Sequence, residues 1–520
     1  MRILFYNWVD NHDPEKRGGG VALYQRNVLA ELEGRADVTA TFLSSGISYD
    51  LFDARPRWAR VAHGTDRTGE RYEIVNSGVL APAHHSFGHD AQIDHPPTTA
   101  AFLDFLEKTG PYDIVHFNNL EGLPATVLTL KARFPQTRVI YMLHNYYPVC
   151  PQVNLWHQER ENCLDYAHGE KCVGCLPHRP DAMVVRQANA VAFNFKRRGI
   201  QPGERRFDRM FGPGVRVTHK ALRVGSRWSR SFREVRGMFQ YELAHETPAA
   251  SLTRVEPPGR KFRRRREQVV EIMNAHADRV LCVSDRVGEV AHRFGIDSRL
   301  LQTCYIGTAQ AEKFHQTAPR GRLLKEDGSL TLAYLGYMRR DKGFFFLLDA
   351  LEGLGRRTAE RIDLVICARR ADPATMARVE ALGGRFRSVF YADGYRHEEL
   401  DDLLAPVDLG VIPSLWEDNL PQTAIELHAR HIPILTSELG GAQELGNFPP
   451  MVFKAGDVEG FQEKLEDILD EEITAEGYWD DAMAPVSMPA HVDELLAVYA
   501  RVLADDPHAD AATVPETRRA

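Results

Sequence analysis

Two successive series of strand-like and helix-like segments constrain the fold of this 520-residue chain more than any other feature. Short apolar runs alternate with segments of helical periodicity, which is typical of βαβ units and parallel sheets. The polar stretch TAPRGRLLKEDGS separates the two series. We therefore predict an α/β fold of two doubly wound domains that face each other across a cleft. The runs are RILFYNW, YDIVHFNN, RVIYMLHN and ADRVLCVS, then LTLAYLGY, IDLVICA, RSVFYADGY and DLGVIPS.

The break between the two series gives the predicted domain bounds. We expect residues 1–317 to form an N-terminal domain and residues 318–487 a C-terminal domain. Residues 488–505 contain MPAHVDELLAVYARVLA, a helical pattern that we expect to pack back on the N-terminal domain. Residues 506–520 are small and polar, so we expect them to be disordered.

Composition is that of an ordinary globular protein and predicts cytoplasmic residence. Hydrophobic residues make up 43% of the chain and charged residues 26%. No apolar run reaches the length of a membrane span, and the first residues become polar too early for a secretory signal. Seven cysteines in a chain this long do not form a disulfide scaffold, which agrees with reducing surroundings.

The stretch WEDNLPQTAIE, residues 416–426, places two acids eight residues apart. Asp418 follows a predicted buried strand and precedes Pro421, which favours the first turn of a helix predicted to run to about His431. Glu426 would then lie inside this helix. Ligands of parallel sheets collect at the carboxyl ends of strands, where the Asp418 loop is expected to lie. Ligand binding by the two acids and a plain capping or solvated role remain alternatives.

Two other loops that follow strands have features of a phosphate site. Gly19 and Gly20 belong to a triplet after the first strand, where backbone N–H groups and the next helix can approach a diphosphate. The triplet lacks the full G-x-G-x-x-G pattern, so a plain flexible loop is the alternative. In the second domain Arg339, Arg340 and Lys342 form a cationic cluster on a strand-to-helix loop, for which surface decoration is the alternative.

Five motifs in order along the chain resemble those of the retaining GT-B glycosyltransferases of family 4, the glycosyl transferases group 1. The resemblance extends over nearly the whole chain, up to about residue 505. It implies two facing Rossmann-like domains, an N-terminal one on the acceptor side and a C-terminal one that binds the nucleotide sugar. The motifs are GGG, HNYYPVCP, GYMRRDKG, PSLWEDNLPQTAIE and LGGAQEL.

The resemblance implies a role for each acid. Glu426 matches the family's second acid, which hydrogen-bonds the ribose of the donor nucleotide. Asp418 occupies the position of the first acid, which holds hydroxyls of the donor sugar and is usually glutamate. Either the loop comes closer to the sugar or the neighbouring Glu417 takes this role. Because the proline that follows lacks an N–H, Asn419 and Leu420 are the expected amide donors.

The resemblance also implies a basic pair that neutralises the donor diphosphate. Lys342 matches the lysine of this pair. The arginine position holds Tyr337, so Arg339 or Arg340 would replace the arginine from two or three residues further on. The remaining implied donor contacts are Gly440, Gly441 and Glu444, which match a GG-x-x-E loop, and Gly394 and Tyr395, which are expected to touch the base.

Histidines near the ends of two strands of the first domain complete the expected site. From the residues alone, His144 is either a core histidine or a functional one. The resemblance implies that it hydrogen-bonds the donor sugar and acts with Asp418 and Lys342 in catalysis. His116 and Asn118 would line the cleft toward the acceptor.

The implied activity is transfer of a sugar from a UDP- or GDP-linked donor to a hydroxyl of a glycan or lipid-linked acceptor, in bacterial surface polysaccharide biosynthesis. Family members retain the anomeric configuration, and the leaving phosphate oxygen is the usual proposed proton acceptor. No cofactor is then required, because cationic side chains stabilise the leaving diphosphate. The alternative is a weakly active or inactive relative that acts as a sugar-binding or membrane-associated partner protein.

Four cysteines cluster within residues 150–175. Cys150, Cys163, Cys172 and Cys175 end in a C-x-x-C pair, a spacing typical of zinc sites, although the preceding gaps are irregular. A structural zinc and simple buried, reduced cysteines both remain open.

Residues 186–266 are strongly basic, with 21 Lys and Arg against 6 Asp and Glu in a chain of net charge −8. We interpret this segment as an insertion in the N-terminal domain. Nucleic acid, an anionic membrane surface and a solvated loop are the three alternatives. The membrane best suits a lipid-linked acceptor, so we expect peripheral binding at the inner face of the membrane and no nucleic-acid partner.

Overall fold

The computed structural model describes two compact units. Unit 1 comprises Met1–Leu23, Val38–Thr137 and Asp165–His276, and unit 2 comprises Tyr24–Asp37, Arg138–Leu164 and the chain from Ala277 onward. The predicted tail 506–520 and residues 219–256 of the basic insertion lie outside the described residues. The predicted boundary at residue 317 stays a prediction. The described residues are 1–13, 15, 17–61, 70–176, 181–218 and 257–504.

The strands pair in parallel, except for the edge strand β3 and the short β7–β8 hairpin. Their bounds are β1 Arg2–Asn7, β2 Thr39–Ser48, β3 Arg57–Arg60, β4 Arg71–Val75, β5 Ile114–Phe117, β6 Arg138–Leu143, β7 Trp156–His157, β8 Glu161–Asn162, β9 Arg279–Cys282, β10 Leu301–Thr303, β11 Leu330–Tyr337, β12 Ile362–Arg369, β13 Ser388–Asp393, β14 Leu409–Ile412, β15 Ile434–Ser437 and β16 Val452–Phe453.

Helices connect most of these strands. The α-helices with both ends among the described residues are α1 Gly19–Glu33, α2 Pro96–Thr109, α3 Glu170–Val173, α4 Ala182–Arg197, α5 Arg260–His276, α6 Asp285–Arg293, α7 Ala311–Gln316, α8 Phe344–Gly353, α9 Arg356–Ala359, α10 Pro373–Leu382, α11 Leu400–Leu404, α12 Gln422–His428, α13 Gln443–Gly446, α14 Val458–Leu469 and α15 Met488–Leu503. Short 3₁₀ helices lie at Ala83–Ser86, Asp90–Gln92, Ala125–Ala132, Ala167–Gly169, His397–Glu399 and Pro449–Met451. In the described part of the chain, no helix is both long and apolar enough to cross a membrane.

Unit 1 contains strands in the order β5-β1-β2-β4-β3. In the parallel register of β1, Leu4 lies between Thr41 of β2 and Val115 of β5. The apolar residues of β1 and β5 are fully or almost fully buried, as expected for inner strands of a parallel sheet. This unit therefore has the α/β layering that the sequence predicts.

Unit 2 contains the strand orders β10-β9-β6 and β13-β12-β11-β14-β15-β16, all parallel. In the six-stranded order, β11 pairs with β12 on one side and with β14 on the other. The chain order reverses at this point, where the loops after two neighbouring strands diverge and leave room for a ligand. The loops after β11 and β14 carry Lys342 and Asp418, so the topology itself positions the candidate site.

Two predicted helices differ from the observed ones. The helix predicted from Pro421 to about His431 is α12, Gln422–His428, and Pro421 is its N-cap residue with extended backbone angles. The helix ends early because His431 adopts a left-handed φ of 53°. The segment predicted as helical in LPATVLTLKARF is a 3₁₀ helix at Ala125–Ala132.

The predicted C-terminal helix is present as α15, Met488–Leu503. Within unit 2, His491 hydrogen-bonds the hydroxyl of Tyr24 at 2.7 Å, and Asp493 pairs with Arg35 at 2.8 Å. The Arg138 guanidinium donates to the carbonyl of Val502 at 3.1 Å. These contacts attach the helix to residues that precede position 317 in the chain.

Candidate functional site

The loops that follow β11 and β14 meet at the carboxyl ends of these strands. The N–H of Leu415 donates to the carbonyl of Asp341 at 2.9 Å. Gly343 has a φ of 71°, and a methyl group at this position would lie 1.6 Å from the carbonyl oxygen of Pro413. Only glycine permits this approach. The Lys-Gly pair of the sequence motif thus brings Lys342 beside the second loop.

Lys342 and Asp418 form an ion pair. The ammonium Nζ lies 2.5 Å from Asp418 Oδ2, and the Ser414 hydroxyl donates to the same oxygen at 3.4 Å. The Lys342 Nζ also lies 5.3 Å from the centre of the Trp416 ring. The lysine side chain is 28% exposed and the aspartate side chain 9%. A diphosphate that reaches the lysine would compete with Asp418 for its N–H groups.

Glu417 is committed to contacts within the protein. Its carboxylate, which is 0% exposed, accepts two hydrogen bonds from the Arg286 guanidinium at 2.8 and 2.9 Å. It also accepts from the side-chain amide of Asn162 at 3.3 Å and from the N–H of Gly440 at 3.2 Å. Hydrogen bonding to Glu417 raises the pKa of Arg286. Asp418, whose side chain is 9% exposed, is therefore the less buried acid of the adjacent pair.

Glu417 and Asp418 lie in the loop 413–421 between β14 and α12, which we call the acidic loop. Gly440 and Gly441 hold this loop in place. The N–H of Gly441 donates to the carbonyl of Asp418 at 2.9 Å. A methyl group at Gly440, whose φ is 80°, would lie 2.1 Å from the same carbonyl oxygen. A methyl group at Gly441 would lie 2.4 Å from the carbonyl oxygen of Asn419. Larger residues would therefore displace the loop.

Asn419 and Leu420 retain hydrogen-bonding capacity. Neither backbone N–H donates to another described residue, although both residues are over 90% buried. The Asn419 side chain donates to the carbonyl of Leu143 at 3.5 Å, while its buried Oδ1 has no partner among the described residues. The Ser284 hydroxyl donates to the Asn419 carbonyl at 2.8 Å. The loop is thus fixed from behind, with two amides available for a ligand.

Glu426 lies in α12 within a small polar group. The hydroxyl of Tyr395 donates to Glu426 Oε2 at 2.7 Å, and His397 Nδ1 lies 3.3 Å from Oε1. Burial raises the pKa of Glu426 and also that of Tyr395. Gly394 has a φ of 72° and turns the chain before Tyr395. The structure therefore brings together Gly394, Tyr395 and Glu426, three of the predicted donor contacts.

Glu444 caps a helix. Its carboxylate accepts from the N–H groups of Asp285 and Arg286 at 2.9 and 2.7 Å, at the start of α6. It also accepts from the Tyr305 hydroxyl at 2.7 Å, and burial raises its pKa. The observed contacts of this predicted donor residue are therefore those of an N-terminal helix cap.

The other basic residues of the β11 loop are more exposed than Lys342. Arg339 pairs with Asp341 at 2.7 Å, and 57% of its side chain is exposed. The Arg340 guanidinium lies 5.6 Å from the centre of the Phe345 ring. Tyr337, at the usual arginine position, is 54% exposed. Of this group, Lys342 is the cation paired with the acidic loop.

His144 follows β6, in a segment that borders the acidic loop. Its ring lies 4.8 Å from that of Tyr24. Burial, with a smaller effect of His491, lowers the pKa of His144 to about 3, so the imidazole is neutral. The pKa of the nearby Tyr146 is raised by burial and by the negative charges of Glu417 and Asp418. His144 is thus a hydrogen-bonding group rather than a cation at neutral pH.

The remaining predicted ligand contacts lie in unit 1. Gly19 and Gly20 open α1 and are exposed, and Gly19 has a φ of 54°. His116 is fully buried, 5.3 Å from the ring of Phe5. The backbone N–H of Asn118 donates to the carbonyl of Tyr6 at 3.0 Å. His116, which belongs to β5, therefore lies in the core of this unit.

The four clustered cysteines are divided between the units. Cys172 and Cys175 lie in an apolar cluster of unit 1 that includes Phe87 and Phe262. Cys150 and Cys163 are buried in unit 2, and no disulfide joins any cysteine of the chain. The zinc site stays a prediction. Among described residues, three metal-ligand atoms meet within 4.8 Å at a different place, formed by Cys304, His491 and Glu494.

The loops after β11 and β14 lie in a segment that matches a known family model. Residues 329–471 match the family model Glycosyl transferases group 1. This segment contains β11, β14 and α12, and with them Lys342, Asp418 and Glu426. A comparison with curated protein sequences finds no match.

Solved glycosyltransferases share the fold. Sucrose-phosphate synthase from Thermosynechococcus elongatus is 15% identical, with a TM-score of 0.50 over 97% of this chain and 99% of that one. The apo form of the lipopolysaccharide outer core galactosyltransferase WaaB is 12% identical, with a TM-score of 0.51 over 96% and 100%. The predicted GT-B type of α/β fold with parallel sheets is confirmed.

Sequence reasoning missed the residues that support the acidic loop. Arg286, Ser284 and Asn162 are far from it in sequence, and their side chains contact Glu417 and Asn419 only after folding. One signal was present, because Ser284 follows a strand and begins a helical pattern, as a helix cap does. Nothing in the sequence showed that the same hydroxyl would also bind the loop.

Proposed function

We propose that this chain is a retaining hexosyltransferase of the EC 2.4 class. It moves a sugar from a UDP- or GDP-linked donor to a hydroxyl of a glycan or lipid-linked acceptor, in bacterial surface polysaccharide biosynthesis. The observation that supports this proposal is the pairing of Lys342 with Asp418, on adjacent loops of a segment that matches the group 1 family model. A cation for phosphate and an acid for hydroxyls lie side by side at the carboxyl ends of strands.

Each part of the donor would have its own contact. The lysine would bind the diphosphate and release Asp418, whose carboxylate would then accept hydroxyls of the sugar. The backbone amides of Asn419 and Leu420 would donate to the same sugar. Glu426 would accept from the ribose, and Tyr395 lies next to it, where the base would be placed.

The proposed chemistry depends on charge rather than on a protein nucleophile. The leaving diphosphate gains negative charge in the transition state, so the Lys342 ammonium stabilises that state more than the bound substrate. The neutral His144 would donate a hydrogen bond to the sugar. The leaving phosphate oxygen would accept the proton of the acceptor hydroxyl on the same face of the ring, which retains the configuration. We propose that no cofactor is required for this step.

Thermal-shift measurements with a panel of UDP- and GDP-sugars test the donor site. A donor at 100 times its dissociation constant stabilises the folded state by about 2.7 kcal/mol. We expect Glu426→Ala to abolish the shift, Lys342→Ala to weaken it, and the exposed Glu438→Ala to leave it unchanged. Equal shifts in all four proteins would contradict the assignment of the donor site.

Release of free nucleotide separates activity from binding. An active transferase is expected to hydrolyse its donor slowly without an acceptor, and this release should fall in Asp418→Asn. Donor binding with no release, with or without glycan acceptors, would favour the alternative of a sugar-binding partner protein.

We further propose that the basic segment binds an anionic membrane surface. Arg205, Arg206 and Arg209 are exposed, and so are the apolar side chains of Met210 and Val217. Arginines beside exposed apolar groups suit a surface of anionic lipid. We expect cosedimentation with phosphatidylglycerol vesicles that weakens as salt rises. Equal binding to phosphatidylcholine vesicles would contradict the electrostatic part of the proposal.

A further inference from the structure

Three ring side chains of unit 2 form a continuous contact between the C-terminal helix α15 and His144. The ring of Tyr24, on α1, lies 4.8 Å from the ring of His144 at an interplanar angle of 56°. The same tyrosine ring lies 5.3 Å from the ring of His491, on α15, at 65°. Tyr24 and His491 are 5% and 0% exposed, whereas His144 is half-buried. His144, the least buried of the three, is therefore backed by two buried rings.

The hydroxyl of Tyr24 anchors the middle ring. Its oxygen lies 2.7 Å from His491 Nε2 and 3.3 Å from Met142 Sδ. A thioether sulfur is a weak hydrogen-bond acceptor, so the bond to His491 is the stronger of the two. A tyrosine that is packed along its ring and hydrogen-bonded at its hydroxyl has little freedom to tilt. Tyr24 thus presents its ring to His144 at a fixed angle.

His491 is itself fixed by the backbone of the segment 305–308. Its ring hydrogen-bonds the backbone of Tyr305. A methyl group at Gly307 would lie 2.7 Å from His491 Cβ, so the segment and the helix are in close contact. The N–H of Thr308 donates to the carbonyl of Val486 at 2.9 Å, just before α15 begins. His491 therefore cannot shift without displacing this segment.

The backbone around His144 is held from the other side. The side chain of Asn419, in the acidic loop, donates to the carbonyl of Leu143 at 3.5 Å. The N–H of His144 donates to the carbonyl of Met142 at 3.1 Å. These bonds fix the backbone, but the terminal torsion of a histidine side chain has a broad energy well. The angle of the imidazole is then limited by the rings that pack against it, and Tyr24 is one of them.

We propose that Tyr24, held by His491, is a positioning residue that keeps the imidazole of His144 at the angle required to donate to the donor sugar. This inference rests on the proposed function, because it takes His144 as a sugar contact. A hydrogen bond weakens steeply when it is misaligned, and small displacements at a reacting centre reduce the rate. Helix α15 thus contributes to sugar transfer through two rings, without a contact of its own to the donor.

Steady-state release of nucleotide by the full chain tests this proposal. The donor is the UDP- or GDP-sugar that gives the largest thermal shift, from a panel that includes UDP-glucose, UDP-galactose and GDP-mannose. In Tyr24→Phe and in His491→Leu we expect kcat to fall about tenfold and KM to change less than about twofold. His491→Gln should keep most of the parent's kcat, because an amide can still hydrogen-bond the tyrosine hydroxyl. The double variant Tyr24→Phe/His491→Leu should be no slower than either single one, because both remove the same bond.

The background His144→Gln tests the route of the effect. There Tyr24→Phe should cause no further loss of kcat, whereas general damage to the structure would lower kcat again. Tyr478→Phe is the matched control, because Tyr478 is also buried and its hydroxyl accepts from the N–H of Ile434 at 3.1 Å. This variant should keep the parent's kcat although it too loses a buried hydrogen bond.

NMR of isotope-labelled histidines gives a second measurement that needs no turnover. The imidazole Cε1–Hε1 signal of His144, assigned as the one that His144→Gln lacks, should shift in Tyr24→Phe and His491→Leu and stay in place in Tyr478→Phe. An unshifted signal, or the parent's kcat in Tyr24→Phe, would overturn this inference alone. Absence of nucleotide release from every donor of the panel by the parent would overturn the proposed function, and with it the part of this inference that concerns transfer. The two failures are therefore distinguishable.

Discussion

Replacement of Arg286 by methionine tests whether the acidic loop is held by a buried ion pair. Arg286 donates two of the four hydrogen bonds that the fully buried Glu417 carboxylate accepts, and these two are the shortest. In Arg286→Met the carboxylate would keep only the longer bonds from Asn162 and Gly440. A negative charge would then remain buried without a cation.

The expected loss of stability follows from this geometry. Removing one partner of a buried pair costs about 3–5 kcal/mol. The Arg286 side chain is 26% exposed, so water weakens the pair and the lower end, about 3 kcal/mol, is expected. The double variant Arg286→Met/Glu417→Gln should recover most of this loss, because a neutral amide is far less costly to leave without a cation.

Urea unfolding followed by circular dichroism measures these differences. Arg299→Met is the control, because Arg299 makes a similar two-oxygen contact with Asp297 but its side chain is 80% exposed. Its unfolding midpoint should not change. The reasoning would be refuted if the double variant were no more stable than Arg286→Met, or if Arg286→Met unfolded at the wild-type urea concentration.

Three further changes have expected outcomes. Gly343→Ala should destabilise the fold by about 3 kcal/mol through the clash with the Pro413 carbonyl and the positive φ, whereas Gly321→Ala, in open space, should not alter the thermal midpoint. Lys342→Ala should weaken binding of UDP or GDP in calorimetry about tenfold, or about 1.4 kcal/mol, and leave the binding of the nucleoside unchanged; an equal loss for both would contradict a phosphate contact. Burial lowers the pKa of His491 to about 4, so below pH 6.5 the unfolded chain takes up a proton that the folded one does not. Stability should therefore fall between about pH 6.5 and 4, on the order of 3 kcal/mol, and His491→Gln should flatten the pH dependence of the urea midpoint; parallel curves would contradict this cause.

The positions of Asp418 and Glu426 show how much of the site's geometry could be predicted from the local sequence. The spacing of Asp418 and Glu426 across a strand-to-helix junction placed one acid in the loop and the other inside the helix, as observed. The sequence could not show which of the adjacent acids Asp418 and Glu417 would be taken up by contacts within the protein. That depends on partners that lie far away in the chain. Arg286 and Asn162, more than 130 and 250 positions away, bind Glu417.

The sequence by itself determined the α/β architecture and the Lys-Gly and acid-pair motifs, because apolar periodicity and turn chemistry act over a few residues. It also predicted that a ligand binds at the carboxyl ends of strands, where the Asp418 loop lies. Only the tertiary structure decided which charges are buried and with what they pair. It assigned Glu444 to a helix cap, and it placed Tyr24 beside His491 although 467 positions separate them. Such pairings depend on how the sheet and its covering helices bring remote residues together, and no local pattern records that.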